Sequence, residues 1–161
     1  MRTYLWLGFA TCLLLAGCDR LSSGTPQRAW EETMQIRQAR DYARLWETLA
    51  SESKEQIAHV LEYVKMEPSY ISHLSEKFQI ESASLAKMDA AGFFAALMSG
   101  VELNHPQVVD LQMKNAEGAK FLRTRIKDDR AVVSWRSGTG KEEQTFFIRE
   151  GGEWRPVLQR P

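Results

Sequence analysis

The chain has 161 residues, 43% of them hydrophobic and 26% charged, and its 21 Lys+Arg balance 21 Asp+Glu. This ordinary globular composition, with no net charge, carries no electrostatic footprint for nucleic acid. Two cysteines exclude a disulfide framework, and no apolar run reaches the roughly 18–20 residues needed to span a bilayer.

The first element is N-terminal. Arg2 supplies one positive charge, and the uncharged stretch from Tyr4 to Ala16 is rich in leucine. That length suits a signal-peptide core and is too short to span a membrane. The stretch ends in Leu15-Ala16-Gly17-Cys18, which resembles the lipobox of bacterial lipoproteins. The resemblance implies cleavage before Cys18, a diacylglycerol on the Cys18 sulfur and an acyl chain on the new amine. Residues 1–17 are then a signal peptide. Cys12 leaves with it, and the blocked Cys18 excludes thiol chemistry. One chain binds a bilayer only marginally, at about 0.8 kcal/mol per buried methylene, whereas two or three on one residue anchor firmly without spanning. Asp19 follows. By resemblance to enterobacterial lipoproteins it points to retention at the periplasmic face of the inner membrane; as a bare residue it is equally a linker position. Residues 18–25 are the lipidated cysteine and a polar tether, and 26–161 form one domain.

Within that domain, Thr25-Pro26 is an N-cap followed by proline at the first helical position. Trp30 and Met34 fall four apart, and Tyr42, Leu45, Trp46 and Leu49 continue a helical stripe. Ala39 to Asp41 is a bend between two helices or a continuous turn. Ser53 with Gln56 resembles a capping box that opens a helix carrying Ile57, Val60, Leu61 and Val64, which closes near Pro68. Tyr70, Ile71, Leu74 and Phe78 mark another short helix. Asp89 caps the next, with Phe93, Phe94, Leu97 and Met98 as its apolar side and Gly100 closing it.

After Gly100 the period changes to two. The expected strands carry Val109, Leu111 and Met113; Leu122, Thr124 and Ile126; Val133 and Trp135; Thr145 to Glu150; and Trp154 to Leu158. Turn signals at 116–118, 128–129, 137–140 and 151–152 separate them. Helices first and an antiparallel meander after them make an α+β domain, with N-terminal helices packed on a C-terminal sheet.

That order resembles the NTF2-like (cystatin-like) superfamily over roughly Trp30 to Leu158. The resemblance is carried by the helical opening around Ala39-Arg40-Asp41-Tyr42-Ala43-Arg44-Leu45-Trp46, by the late strands, and by the ending Arg149-Glu150-Gly151-Gly152-Glu153-Trp154-Arg155. The chain departs from the pattern at Arg40-Asp41, where members often carry Gly-Asp, and in its longer helical region from Ser51 to Gly100. The fold implies a cone between helices and sheet in which some members hold a catalytic carboxylate or histidine.

The residues offer little chemistry beyond this. Gly138-Thr139-Gly140-Lys141 lacks the glycine and the Ser/Thr of a phosphate loop and reads as a hairpin turn. His59, His73 and His105 have no metal-ligand spacing, and there is no Gly-x-Ser-x-Gly elbow. Asp110 and His105, beside the expected first strand, are the candidates for general acid–base work, but Asp110 alternates away from the apolar face of Val109 and Leu111. Trp30, Trp46, Phe93, Phe94, Trp135 and Trp154 line a pocket or, more commonly, fill a core. Arg123, Arg125 and Arg136 lie on the outer sheet face, suited to an acidic partner or to solvent.

The expected protein is therefore a non-enzymatic, membrane-anchored envelope lipoprotein. Its domain binds an envelope protein or a small ligand, with no nucleic acid, metal or cofactor apart from the lipid on Cys18. An isomerase- or dehydratase-like enzyme in the cone is the alternative.

Overall fold

The computed structural model describes residues 24–158; the lipobox, Cys18 and Asp19 lie outside the described residues. Among those described, seven helices precede four strands: α1 (Pro26–Gln38), α2 (Tyr42–Thr48), α3 (Ser51–Met66), α4 (Pro68–Phe78), α5 (Ser82–Lys87), α6 (Ala90–Asn104), α7 (Pro106–Glu117), β1 (Lys120–Lys127), β2 (Arg130–Arg136), β3 (Glu142–Glu150) and β4 (Glu153–Val157). The strands form one antiparallel meander in the order β1-β2-β3-β4. The fold is α+β, helices packed on a meander sheet. No described helix is long and apolar enough to cross a membrane.

α1 begins where its sequence says. The Thr25 side chain accepts from the Arg28 amide at 3.3 Å, and Pro26 stands in the first turn. Its buried stripe seats on the inner sheet face, where Trp30 and Met34 pack with Ala131, Val133, Trp135, Phe147 and Trp154. The register explains which strand residues face α1. Val133 pairs with Thr145 and Ala131 with Phe147, so these four share one face with Trp135. In β1 the register shifts between Phe121 and Arg123, leaving Leu122 as the extra residue of a bulge. Phe121 and Thr124 thereby share the inner side.

Two further clusters hold the helices. Ile36, Leu45, Leu49 and Phe94 bind α1, α2 and α6, and Leu61, Val64, Leu85 and Phe93 bind α3, α5 and α6. α3 is tied to the far end of the sheet. Ser51 donates from its amide and its hydroxyl to the Glu150 carboxylate at 3.0 Å, and Ala50 N–H donates to Pro156 O at 3.0 Å. A β3 carboxylate thus occupies the positive end of this helix.

Four expectations are corrected. The first expected strand is helix α7. Val109 and Ala116 are buried and Met113 is half-buried, at helical spacing, whereas Leu111 is 53% exposed, so the alternation had counted a surface leucine as core. Pro106 opens that helix in its first turn. Ser53 does not cap α3: the helix starts at Ser51, and the buried Ser53 Oγ accepts from the Leu158 amide at 2.9 Å. α5 was not foreseen, because in six residues it buries one large side chain, Leu85. Gly100 does not close α6, which runs on to Asn104. Gly100 instead lets α4 approach, since a Cβ there would meet Phe78 Cδ1 at 2.5 Å.

Gly100→Ala should therefore overpack the α4–α6 contact and lower stability by about 1–3 kcal/mol in urea unfolding. Adding Phe78→Ala removes the ring atoms and leaves only the Phe78 Cβ contact at 2.7 Å, so the double variant should lose less than the sum of the single changes. Simple additivity would show that Gly100 is not a close-approach position.

Candidate functional site

A cavity of about 320 Å³ lies between α1, α2, α6, α7 and the β2–β3 end of the sheet. Each wall follows from the packing above. Met34 comes from α1, Leu45 from α2, Phe94 and Met98 from α6, and Val109 and Met113 from α7. Trp135 and Glu143, which are register partners on adjacent strands, contribute from the sheet. The α7 wall is held to the β2–β3 hairpin: Gly138 N–H donates to Asn115 O at 3.0 Å, and Thr139 Oγ1 donates to Asn115 Oδ1 at 2.7 Å. A Cβ on Gly138 would lie 2.0 Å from Lys114 O, so glycine is required for that approach. The Gly138-Thr139-Gly140-Lys141 segment serves as this hairpin connection.

The polar lining is sparse and uneven. Tyr42 O–H donates to the Glu102 carboxylate, and Arg40 Nε lies 3.6 Å from Glu102. Glu143 lies 3.2 Å from Lys141 Nζ. Arg37 also lines the cavity. It falls seven residues after Trp30 and three after Met34, on the stripe that α1 turns toward the sheet. Desolvation by the surrounding atoms holds its pKa below the ordinary arginine value, although the residue is exposed to solvent. Arg37 therefore stands at the cavity rim, between its walls and solvent. Among the described residues, hydrogen bonds and ion pairs are found at Arg40, Tyr42 and Glu143, while the Arg37 guanidinium has neither.

The residues expected to carry acid–base chemistry are elsewhere. Asp110 is exposed on α7 and His105 is half-buried at the α6–α7 junction, and neither lines the cavity. With the first expected strand turned into a helix, the sheet-face argument about Asp110 no longer applies. Of the six aromatics, Trp135 and Phe94 reach the cavity, whereas Trp30 and Trp154 belong to the core on the sheet, Trp46 packs against Phe94, and Phe93 is fully buried beneath α3 and α5. Arg123 and Arg136 are exposed, and Arg123 pairs with Glu142 at 2.8 Å. Reasoning from the sequence missed Arg37. Its i+7 relation to Trp30 was available, but a charged residue is not counted as part of an apolar stripe.

A wider recess of about 1240 Å³ lies between α3 and the outer sheet face, lined by Glu52, His59, Arg130, Val132, Phe146 and Val157 among others. Arg130 bridges it toward Glu52 at 3.6 Å. It is a broad trough of mixed charge open to solvent, and its size measures that openness. The smaller cavity surrounds a ligand-sized volume with apolar walls and few polar groups, which is the usual form of a small-molecule site. No three His, Cys, Asp or Glu side chains converge as metal ligands among the described residues. Comparison with protein-family models, curated proteins and solved structures gives no match.

The rim makes a pH prediction. Burial raises the Tyr42 pKa above its ordinary value, and the hydrogen bond to Glu102 and the charge of Glu102 act the same way, against Arg40. A raised pKa in the folded state means that Tyr42 contributes its stabilisation fully below the unfolded-state value of about 10 and loses it as pH rises above that. The stability advantage of the wild type over Tyr42→Phe should accordingly shrink from pH 9 to pH 11 in urea unfolding. A constant difference across that range would show that Tyr42 is not held by Glu102.

Proposed function

We propose that this chain is a lipid-anchored bacterial envelope protein whose α+β domain binds a small ligand without transforming it. Cleavage before Cys18 and acylation of that residue would tether the domain, through the polar residues 19–25, close to a membrane surface. Asp19 favours the periplasmic face of the inner membrane. The observation that carries the binding reading is the 320 Å³ cavity between helices and sheet, lined by apolar walls with Arg37 and Arg40 at its rim. Its volume falls at the low end of the roughly 300–1,000 Å³ range of small-molecule sites.

Two features support kinship with the NTF2-like superfamily. Arg40 has φ +55°, the left-handed backbone that glycine adopts most readily, at the position where members often carry glycine. The β3–β4 hairpin turns on Gly151 and Gly152, both at positive φ, and then buries Trp154. Fold kinship would carry no activity by itself.

The alternative of an isomerase or dehydratase draws on Glu143 and Tyr42, which line the same cavity. In that case a substrate would be turned over and Glu143→Gln would abolish the turnover. The binding reading is favoured because Glu143 is ion-paired to Lys141 and Tyr42 is bonded to Glu102, so both groups are already engaged.

Two measurements test the proposal. In a bacterial host, an alkynyl palmitate should label the wild-type chain and fail to label Cys18→Ser; equal labelling of both would remove the anchor. Native mass spectrometry of the full chain, released from its membrane, should show a small-molecule adduct on the wild type that is absent from Met98→Trp, whose indole fills the cavity. A wild type without an adduct, or an adduct unaffected by Met98→Trp, would count against the cavity as the site.

A further inference from the structure

The cavity has a surplus of one positive charge. Glu102 is met by Arg40 and Tyr42, and Glu143 by Lys141, which leaves Arg37 on the cavity rim without an anion among the described residues. Arg37 is exposed to solvent while lining the apolar cavity, so it presents a cation at the rim of an apolar space. Its planar guanidinium fork matches a carboxylate in a charge-assisted, bidentate pair. A second cation stands on the same wall: Arg40 lines the cavity, 3.6 Å from Glu102.

The rest of the lining is mainly apolar, with Leu45, Phe94, Met98, Met113 and Trp135 outweighing Gln112, Asn115 and the ion-paired Glu143. Two of these are methionines, whose unbranched side chains adapt to a flexible alkyl chain. The volume sets the length of that chain. At roughly 30 Å³ per methylene-sized group, close to the share of one water molecule, 320 Å³ holds about ten such groups. A diacyl lipid does not fit.

Resting on the ligand-binding reading above, we propose that the cavity takes a single-chain amphipathic carboxylate of medium length, its head paired with Arg37 and its tail against Phe94, Met98, Met113 and Trp135.

The test uses the full lipidated chain in phospholipid nanodiscs with two photoreactive probes, a diazirine-bearing decanoate and the matching decanol. Crosslinked positions are mapped by peptide mass spectrometry. The decanoate probe should label α6 and α7 around Met98 and Met113, and unlabelled decanoate should compete this away. The decanol probe should label the same peptides about tenfold less, as expected for loss of one charge-assisted pair. Arg37→Met should reduce decanoate labelling to the decanol level and leave decanol labelling unchanged, while Arg37→Lys should retain part of it. The decanol readout shows whether Arg37→Met still folds. Equal labelling by both probes at the cavity would overturn carboxylate recognition and leave the cavity as a neutral-ligand site. Absence of cavity labelling by either probe would overturn this proposal, and the adduct measurement with Met98→Trp separately decides the cavity reading.

Discussion

The seating of α1 on the sheet is the contact on which the rest of the molecule depends. Trp30 lies with its ring centroid 6.0 Å from that of Trp135 and 6.2 Å from that of Phe121, both in tilted geometry. Such aromatic pairs contribute beyond their buried area, at about 0.5–1.5 kcal/mol each. More important is what the contact aligns. With Trp30 fixed over β1 and β2, helical geometry places Met34 one turn further along the same line and Arg37 nearly another turn on. The stripe begins as core and ends as cavity wall. Displacing Trp30 would disturb the sheet packing and the position of Arg37 together.

Much of this architecture can be read from the residues. Thr25-Pro26 and Asp89 act as caps, with Asp89 accepting from Gly92 N–H at 2.8 Å, because capping is a local interaction that needs only neighbouring residues. The strand pairs β2–β3 and β3–β4 are legible for a similar reason: alternation and glycine turns specify hairpins over short spans. α7 was not legible in this way. In residues 109–113 every second position is apolar, which satisfies period two, but the helical set of Val109, Met113 and Ala116 is the one that the fold buries. The choice is made by α1 and α6, which accept a helix on that flank. Five residues cannot express that tertiary preference.

The site was less legible than the fold, for the same physical reason. An apolar stripe is recognised by its hydrophobic members, so a charged residue in phase with it is taken for the solvent side. Arg37 follows the phase of Trp30 and Met34 rather than the polarity rule. Gly100 was misread in the opposite direction. Its usual meaning near a helix end is termination, yet here it is a gap that Phe78 fills from α4. In both cases the residue answers to a partner more than twenty positions away in sequence or to a cavity formed by several elements. Ser53 belongs to the same group: its hydroxyl serves the Leu158 amide, 105 positions along the chain, instead of a cap of its own helix.

A fold that can bury Trp135, Phe94 and Met98 together could close over them and exclude solvent. Here a cavity remains beside the corner where α1, α2 and α6 meet, and charged groups gather there. Arg37 lies in the last turn of α1, Arg40 lies in the α1–α2 turn, and Tyr42 and Arg40 meet Glu102 on α6. Exposed ion pairs such as Arg40–Glu102 contribute little to stability, about 0–1 kcal/mol, so stability alone does not account for an arginine on a left-handed backbone. The neighbouring Tyr42–Glu102 hydrogen bond does link α2 to α6 beside the cavity. An apolar space left open beside a cation without an anion among the described residues is the pattern of a site shaped for an amphipathic ligand.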